Sequence, residues 1–289
     1  MHGWIIIDKP VGPGSTQIVS AVKRALREGG YPKVKVGHGG TLDPLASGVL
    51  PVALGEATKL SGRMLDADKI YEFTIGFGSQ TDTLDAEGVV VATSDMRPSP
   101  AEIDAVLPRF TGPIEQMPPA YSALKVDGKR AYDLARAGEE VVLQPRRVTI
   151  HSLVRSGDAT FTARVSKGTY IRSLARDIAL AAGSVGHVTM LRRTKAGPFT
   201  LESAISLDKL AEMAKGRSLE LLLLPLTAGL DDIPALSVSP DQARALRQGR
   251  TLIGTAATSG LYLAMDGEIP VALVQSEGPE VRVVRGFNL

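Results

Sequence analysis

The sequence predicts an α+β protein with a small β-rich unit at its C-terminal end. Helical and strand periodicities both occur along the 289 residues, but without the regular strand–helix alternation of a doubly wound fold. A hydrophobic content of 44% is enough to build a large core. After residue 232, a short helix is followed by short strands that glycine and proline separate, which is typical of a compact β unit.

The first part of the chain predicts a strand, a helix and a second strand. The apolar run at residues 4–7 is typical of a buried strand. Apolar residues at helical spacing then predict a helix that Ser15 or Thr16 caps and that ends near Arg27. Residues 70–76 alternate between apolar and polar side chains, as a half-buried strand does.

The rest of the chain predicts further elements in a mixed order. In sequence they are a capped helix at 99–110, a proline-rich loop at 113–123, a short helix at 129–138, paired strands at 146–155 and 159–166, and a strand that turns into a helix over 166–183. Gly183 ends that helix. The C-terminal unit holds a capped helix at 239–248 and strands within LYLAMDG, EIPVALVQ and VRVVRGFNL.

Composition excludes several kinds of chemistry. The chain has no cysteine, so it has neither a disulfide nor a thiol nucleophile, and its four histidines lack metal-ligand spacing. The glycines at 37–40 fit neither the dinucleotide fingerprint nor the P-loop. The N-terminus lacks the apolar core of a signal peptide, and no apolar run is long enough to span a bilayer, so we expect a cytoplasmic protein.

Basic residues are concentrated in the middle of the chain. Residues 120–195 carry 14 basic and 6 acidic side chains, a net charge of +8, whereas the segments before and after each have a net charge of −3. A concentrated basic segment is typical of a surface that binds a polyanion such as RNA. The alternative is a set of solvated charges with no partner.

One carboxylate lies in an unusual setting. Asp43 follows a glycine run and precedes Pro44, which predicts a stiff loop that presents a single acid. On this pattern alone Asp43 is more often a turn-former. Tyr71 is either a core residue or a ring that stacks on an exposed base. Arg172 would hold Asp43 ionised if the two were buried together, or would form a weak surface ion pair.

Several long motifs together resemble those of the bacterial tRNA pseudouridine-55 synthases, the TruB family. They lie between residue 3 and about residue 230: GHGGTLDPLASGVLPVALGEATK, K-x-Y-x-F-x-x-x-x-G followed by TDTLDAEG, MPPAYSALKVDGKRAYDLAR, SKGTYIRSLARDIA and MLRRTKAGPF. The family has a hydroxyl residue where this chain has Gly14. The C-terminal unit more weakly resembles the PUA domain, a small RNA-binding domain.

The resemblance implies a fold and a domain organisation. The fold would be that of pseudouridine synthases, with a mixed, mainly antiparallel sheet flanked by helices and loops. Residues 1–232 would form the catalytic domain, with an RNA-contacting loop or insertion at 113–145, and residues 233–289 would form the PUA-like domain.

The resemblance also implies an activity: isomerisation of uridine 55 in the T loop of tRNA, with no cofactor and no metal. The protein would bind the T arm as a monomer, without an obligate protein partner or a membrane. The implied site consists of the catalytic Asp43, Tyr71 stacked on the flipped base, Tyr170 in the pocket, Arg172 paired with Asp43, Leu191 against the base, His38 inserted into the RNA and Lys59 as a basic contact. The residues leave open whether Asp43 attacks the sugar, attacks the base or takes a sugar proton.

Two other functions use the same scaffold. A non-catalytic protein that binds or folds tRNA would share the basic segment but would not require Asp43, Tyr71 and Arg172 together. A guide-RNA-dependent pseudouridine synthase would share the chemistry but work within a multi-protein particle. The joint presence of the three residues, and the little chain left for particle-docking extensions, favour the stand-alone enzyme.

Overall fold

The computed structural model describes residues 1–122, 124–126, 129–131, 134, 137, 142–255 and 257–289. The α-helices are α1 (Ser15–Glu28), α2 (Ser61–Asp66), α3 (Pro100–Val106), α4 (Ile171–Ala181), α5 (Leu207–Lys215) and α6 (Pro240–Arg247). Short 3-10 helices cover Gly55–Leu60, Leu107–Phe110, Leu201–Ser203, Leu219–Leu222 and Leu226–Gly229. The strands are β1 (Gly3–Lys9), β2 (Val36–His38), β3 (Ser47–Leu54), β4 (Lys69–Phe77), β5 (Ser79–Thr81), β6 (Val90–Thr93), β7 (Gly112–Gln116), β8 (Lys125–Val126), β9 (Lys129–Arg130), β10 (Arg146–Arg155), β11 (Thr160–Val165), β12 (Gly186–Ala196), β13 (Phe199–Thr200), β14 (Ala235–Ser237), β15 (Leu252–Ile253), β16 (Gly260–Asp266), β17 (Ile269–Glu277) and β18 (Glu280–Gly286).

The larger sheet has nine strands and runs in the order β1-β3-β12-β4-β11-β10-β7, with β2 paired to β3 and β13 paired to β12. Its pairs are antiparallel except for β3 and β12, which run parallel through Arg192↔Ser47 and Arg193↔Gly48. Strand β3, which follows Asp43, pairs with β12, which carries Leu191, and β12 pairs on its other side with β4, which carries Tyr71. The prediction of an α+β protein with a mainly antiparallel sheet is confirmed.

Strand β1 is buried on both faces, which explains its unbroken apolar run. Its side chains alternate between two hydrophobic clusters. Ile5 and Ile7 pack in the cluster that contains the buried face of α1. Trp4 and Ile6 pack in a second cluster that includes Phe287, which follows the last strand of the chain. The smaller sheet therefore shares a core with the larger one.

The start of α1 differs from the prediction. The N-cap is Gly14, not Ser15 or Thr16, because Ser15 is the first helical residue and its hydroxyl is used elsewhere. The Ser15 Oγ donates to the Leu42 carbonyl at 3.0 Å and accepts from the Leu42 N–H at 2.8 Å. The Gln17 side chain accepts from the Gly14 N–H at 2.7 Å, which compensates for the missing cap hydroxyl.

Two predictions in the middle of the chain need correction. The loop expected at 113–123 begins with β7, since residues 112–116 pair with β10 and extend the larger sheet. The helix expected at 129–138 does not begin at 129, because Lys129–Arg130 pairs with Lys125–Val126 as an antiparallel strand. Much of that predicted helix, and part of the predicted loop at 113–145, lies outside the described residues. The paired strands β10 and β11 and the helix before Gly183 are confirmed.

The smaller sheet has five strands in the order β14-β16-β17-β18-β15. Helix α6 packs on it, and the Ser239 hydroxyl caps this helix by accepting from the Gln242 N–H. The predicted helix and the three predicted strands of this region are confirmed. The boundary between residues 232 and 233 stays a prediction. No helix in the described part of the chain is both long and apolar enough to cross a membrane.

Candidate active site

The loop that carries Asp43 joins β2 to β3, and hydrogen bonds fix its backbone before and after Asp43. Leu42 exchanges two hydrogen bonds with Ser15 at the start of α1. The Pro44 carbonyl accepts from the Gly12 N–H at 2.9 Å, and the Ala46 N–H donates to the Asp43 carbonyl at 3.1 Å. With its backbone held, Asp43 presents a side chain that is 39% exposed. The loop expected to be stiff from its glycines and proline is thus also held by hydrogen bonds to the N-terminal segment.

Arg172 pairs directly with Asp43. Its Nη2 lies 2.9 Å from Asp43 Oδ2, and its Nη1 lies 3.4 Å from Asp85 Oδ2. The guanidinium also donates to the carbonyls of Thr83 at 2.9 Å and Tyr121 at 3.0 Å. Arg172 is in the first turn of α4, where the helix dipole disfavours a cation, and two carboxylates offset this effect. The side chain is only 7% exposed, so its ion pair with the buried Asp85 is shielded from water, whereas Asp43 stays partly exposed.

Asp85 is the buried partner of this arrangement, with a side chain that is 4% exposed. It lies in the turn between β5 and β6, where its Oδ1 accepts from Thr83 Oγ1 at 2.6 Å and from the Glu87 N–H at 3.0 Å. Desolvation raises the pKa of Glu87, and the nearby carboxylates of Asp85 and Asp43 raise it further. Asp85 therefore joins this turn to Arg172 and, through it, to Asp43.

A cavity of about 280 Å³ opens beside the ion pair. Five of the seven predicted site residues line it: Asp43, Tyr71, Tyr170, Arg172 and Leu191. Tyr71 and Leu191 come from the neighbouring strands β4 and β12, while Tyr170 precedes α4. The predicted residues thus converge from four separate segments of the chain on one concave site.

The Tyr170 backbone is fixed by a buried side-chain amide. Gln116 at the end of β7 accepts from the Tyr170 N–H at 2.8 Å and donates to the Tyr170 carbonyl at 3.1 Å. Burial raises the pKa of the Tyr170 phenol. The phenol is therefore neutral at physiological pH and presents an O–H group in the cavity wall.

His38 and Lys59 are not among the residues that line the cavity. His38 is on β2, where its Nδ1 is buried and has no hydrogen-bond partner in the described structure. Burial lowers the pKa of His38, and the Arg193 charge lowers it further, so the ring is neutral. The Lys59 ammonium instead lies 2.6 Å from the Glu56 carboxylate and donates to the Gly286 carbonyl at 2.8 Å. The structure therefore gives Lys59 a contact with β18 rather than one with the cavity.

Two buried lysines lie near the cavity. The Lys9 ammonium donates to the carbonyls of Pro10 at 2.8 Å and Pro44 at 3.3 Å, behind the Asp43 loop. Burial lowers its pKa to about 8, against the opposing charges of Asp43 and Glu87. Lys69 lines the cavity and donates to three carbonyls at the C-terminal end of α2, and burial likewise lowers its pKa to about 8.

Two family models match consecutive parts of the chain. The TruB family pseudouridylate synthase (N terminal domain) matches residues 24–171, and the tRNA pseudouridylate synthase B C-terminal domain matches residues 172–231. The chain belongs to the TruB family of pseudouridylate synthases. This confirms the resemblance inferred from the motifs.

Curated relatives match this TruB family chain over its whole length. The tRNA pseudouridine synthase B of Zymomonas mobilis is 64% identical, and the match covers 100% of this chain and 96% of the relative. The tRNA pseudouridine synthase B of Novosphingobium aromaticivorans is 63% identical, with 100% and 98% covered.

Solved structures share the fold of this TruB family chain. One similar chain comes from an H/ACA RNP bound to a substrate RNA containing 2'-deoxyuridine, with a TM-score of 0.73, 27% identity and coverage of 99% of this chain and 85% of the other. A chain from a Cbf5-Nop10-Gar1 complex gives a TM-score of 0.74 with the same identity and coverage. The predicted pseudouridine-synthase fold with its β-rich C-terminal part is confirmed.

Sequence reasoning missed three charged residues at or near the site, although all three lie in the motifs of this TruB family chain. Asp85 is the second aspartate of TDTLDAEG, Lys69 begins the K-x-Y motif, and Arg193 is the second arginine of MLRRTKAGPF. The sequence signal for these residues was that each is a charged residue inside a long motif. Burial is what distinguishes these residues from solvated charges, and burial of a charged side chain is not visible in the sequence.

Proposed function

We propose that the protein isomerises uridine to pseudouridine at position 55 in the T loop of tRNA, with Asp43 as the catalytic group. The names of its curated relatives support action on tRNA. The observation that carries the proposal is the contact of 2.9 Å between Asp43 and Arg172 at a cavity that two tyrosines also line. This arrangement combines a carboxylate paired with a guanidinium and aromatic and apolar walls suited to a flat base.

The reaction needs an acid and no redox partner. The bond between the ribose and N1 of uracil breaks, a bond between the ribose and C5 forms, the C5 proton leaves, and N1 gains a proton. No atom is added and nothing is oxidised or reduced. An ionised carboxylate at position 43 serves as a nucleophile towards the sugar or the base, or as a base towards a sugar proton.

The target uridine reaches Asp43 only after it leaves the RNA stack. Flipping a base out costs a few kcal/mol, which contacts in the pocket must offset. Stacking on Tyr71 contributes about 1 to 3 kcal/mol, and Leu191 packs against the base from β12. A cavity of about 280 Å³ is at the small end of ligand pockets, which suits a single base.

The remaining assignments concern how tRNA is held. Residues 1–232 act as the catalytic domain, the basic segment with its loop at 113–145 follows the phosphates of the T arm, and residues 233–289 act as a PUA-like RNA-binding domain. His38 enters the RNA next to the vacated stack. The protein works as a monomer without guide RNA. Its high identity to relatives named tRNA pseudouridine synthase B supports a tRNA enzyme over the guide-dependent alternative.

The test is to map pseudouridine in an unmodified tRNA transcript after incubation with the protein alone. Wild type should convert uridine 55 without cofactor, guide RNA or partner. The Asp43→Asn variant should not, yet it should bind tRNA within about threefold of wild type, because phosphate contacts supply most of the affinity. Asp208→Asn, an exposed aspartate on α5, is the matched control and should keep full activity. Turnover by Asp43→Asn would show that Asp43 is not the catalytic group.

A further inference from the structure

Arg193 is a buried cation that lies beneath the Asp43 loop. It is on β12 with a relative exposure of 1%, and it is among the largest fully buried side chains of the described structure. Its guanidinium donates to the carbonyls of Val49 at 2.8 Å, Gly40 at 3.1 Å and Thr41 at 3.3 Å. Within the described residues, no carboxylate lies within 4.0 Å of it to form an ion pair. Three backbone carbonyls are its partners instead.

These carbonyls lie on both sides of Asp43, two in the loop and one in β3. Gly40 and Thr41 precede Asp43, whereas Val49 follows it. The backbone of Arg193 also pairs with Gly48 where β3 and β12 run parallel. Gly48 has φ +101, and a Cβ at this position would lie 2.1 Å from the Arg193 carbonyl oxygen. One residue therefore holds both ends of the loop that contains Asp43, through its side chain and through its backbone.

Gly40 shows how closely the guanidinium and the loop fit. Its φ of +127 is a conformation that favours glycine, and a Cβ there would lie 3.5 Å from Arg193 Nη1. With this backbone conformation, the Gly40 carbonyl accepts from the guanidinium beneath it. A planar group with several donors in fixed directions can reach three carbonyls at once, which an ammonium on a flexible stem cannot do with the same geometry.

A buried cation that no carboxylate pairs with is unusual for a residue that only fills space in the core. Removing a cation from water is costly, and well-packed apolar side chains often replace buried ionic groups without loss of stability. We propose that Arg193 is a positioning residue that closes the base of the loop from Gly40 to Val49 and thereby holds Asp43 against Arg172. This inference rests on the proposed function, because it assigns Arg193 to the same reaction without contact with the reacting atoms.

The proposal predicts a specific loss of rate. When a reacting group is misplaced by about 1 Å, the rate can fall about 100-fold. Arg193→Lys keeps the positive charge but cannot reproduce the three-carbonyl contact, and Arg193→Met removes both. We expect both variants to lower the single-turnover rate at saturating enzyme by about 100-fold, with a tRNA Kd within about threefold of wild type.

The matched control is Arg97→Lys. Arg97 also donates to backbone carbonyls, those of Ser94 and Met96, but it lies between β6 and α3, outside the basic segment and away from the Asp43 loop. It should keep the wild-type single-turnover rate. Hydrogen exchange supplies a second measurement, in which the amides of residues 39–48 should exchange faster in Arg193→Lys while those of α4 stay protected.

The outcomes separate this proposal from the function itself. If wild type fails to convert uridine, the proposed function fails. If wild type is active and folded Arg193→Lys keeps its rate within about threefold, charge or packing is sufficient and the positioning role is wrong. Weaker tRNA binding with an unchanged rate at saturation would make Arg193 an RNA-binding residue instead. If neither variant folds, Arg193 is required for folding rather than for positioning.

Discussion

Replacement of Arg172 by methionine tests how the two aspartates of the site depend on one cation. Methionine provides a long apolar side chain but removes the positive charge and all of its donors. The change deletes the contact of 2.9 Å with Asp43, the contact of 3.4 Å with Asp85 and the hydrogen bonds to two carbonyls. The carboxylates of Asp43 and Asp85 then lack the cation that they share in the wild type.

The expected magnitude follows from the exposure of the two acids. The side chain of Asp85 is 4% exposed, so its charge loses a partner in a site that water barely reaches. A buried charge that loses its partner costs about 3 to 5 kcal/mol. Asp43 is 39% exposed and keeps much of its hydration, so it adds little to the loss of stability. We therefore expect the free energy of unfolding of Arg172→Met to fall by about 3 to 5 kcal/mol.

Loss of activity has a different origin from loss of stability. Without Arg172 the Asp43 carboxylate has no fixed direction, so the rate should fall even in molecules that remain folded. If the loss of Arg172 also raises the activation free energy by about 3 to 5 kcal/mol, the single-turnover rate drops by about 10²- to 10⁴-fold, since about 1.4 kcal/mol corresponds to a tenfold change in rate. In Arg172→Lys, a single nitrogen replaces two that each contact a different aspartate, so an intermediate loss of about 10- to 100-fold is expected.

A double variant separates the two effects. Arg172→Met combined with Asp85→Asn removes the unpaired buried charge, so it should recover much of the free energy of unfolding in urea titrations. It should not recover the single-turnover rate on a tRNA transcript, because Asp43 still lacks its partner. Recovery of both would mean that Arg172 serves only to neutralise Asp85. A wild-type rate in Arg172→Met would refute the pairing with Asp43 altogether.

Three further results are expected. Tyr71→Phe should bind tRNA normally but fail to complete the product in a single-turnover assay, whereas Tyr71→Leu should also lose about 1 to 3 kcal/mol of stacking; full activity of Tyr71→Phe would reduce the ring to a platform. Because burial lowers the pKa of Lys9 from 10.5 to about 8, the unfolded chain binds more protons between these values, so the free energy of unfolding should rise with pH there. In urea titrations from pH 7 to 10, the free energy of unfolding of Lys9→Met should rise by about 3 kcal/mol less than that of wild type. An equal rise in both proteins would contradict the lowered pKa of Lys9. In the same titrations, Phe287→Ala should lower the free energy of unfolding by about 3 to 5 kcal/mol, because Phe287 is buried in the cluster that both sheets share. The exposed control Val284→Ala should lower it by less than about 0.5 kcal/mol, and similar values for the two variants would argue against a shared core.

The elements that the sequence predicted correctly are those whose pattern is local. Strand β1 is an apolar run, α1 has apolar residues at helical spacing, and β16, β17 and β18 are separated by glycine or proline. Each of these signals lies within about ten residues and needs no knowledge of a distant partner. Residues 112–116 lack such a signal, since Gly112 and Pro113 suggest a turn, and they form a strand because β10 supplies the hydrogen bonds.

Strand β12 shows why the centre of the sheet was harder to predict. It lies between β3 and β4, but its sequence, GHVTMLRRTKA, contains two arginines and a lysine, and its basic residues fit an RNA-binding surface or a set of solvated charges better than a central strand. Arg193 is nevertheless buried at a position where alternation calls for an apolar side chain. The strand tolerates it because two carbonyls of the Asp43 loop and one of β3 accept its hydrogen bonds. The partners, and hence the burial, depend on the tertiary structure.

The same reasoning applies to the candidate site. The motifs predicted Asp43 and Arg172, because an acid in a glycine loop and an arginine in a long motif are visible as residue types. They did not predict that Asp85 would share the guanidinium, because only the folded chain brings these segments together. This sharing sets the charge of the site. A single arginine faces two aspartates, whereas Lys9 and Arg193, behind the Asp43 loop, are held by carbonyls rather than carboxylates. Cations held by carbonyls keep their charge, whereas two more salt bridges would have cancelled it.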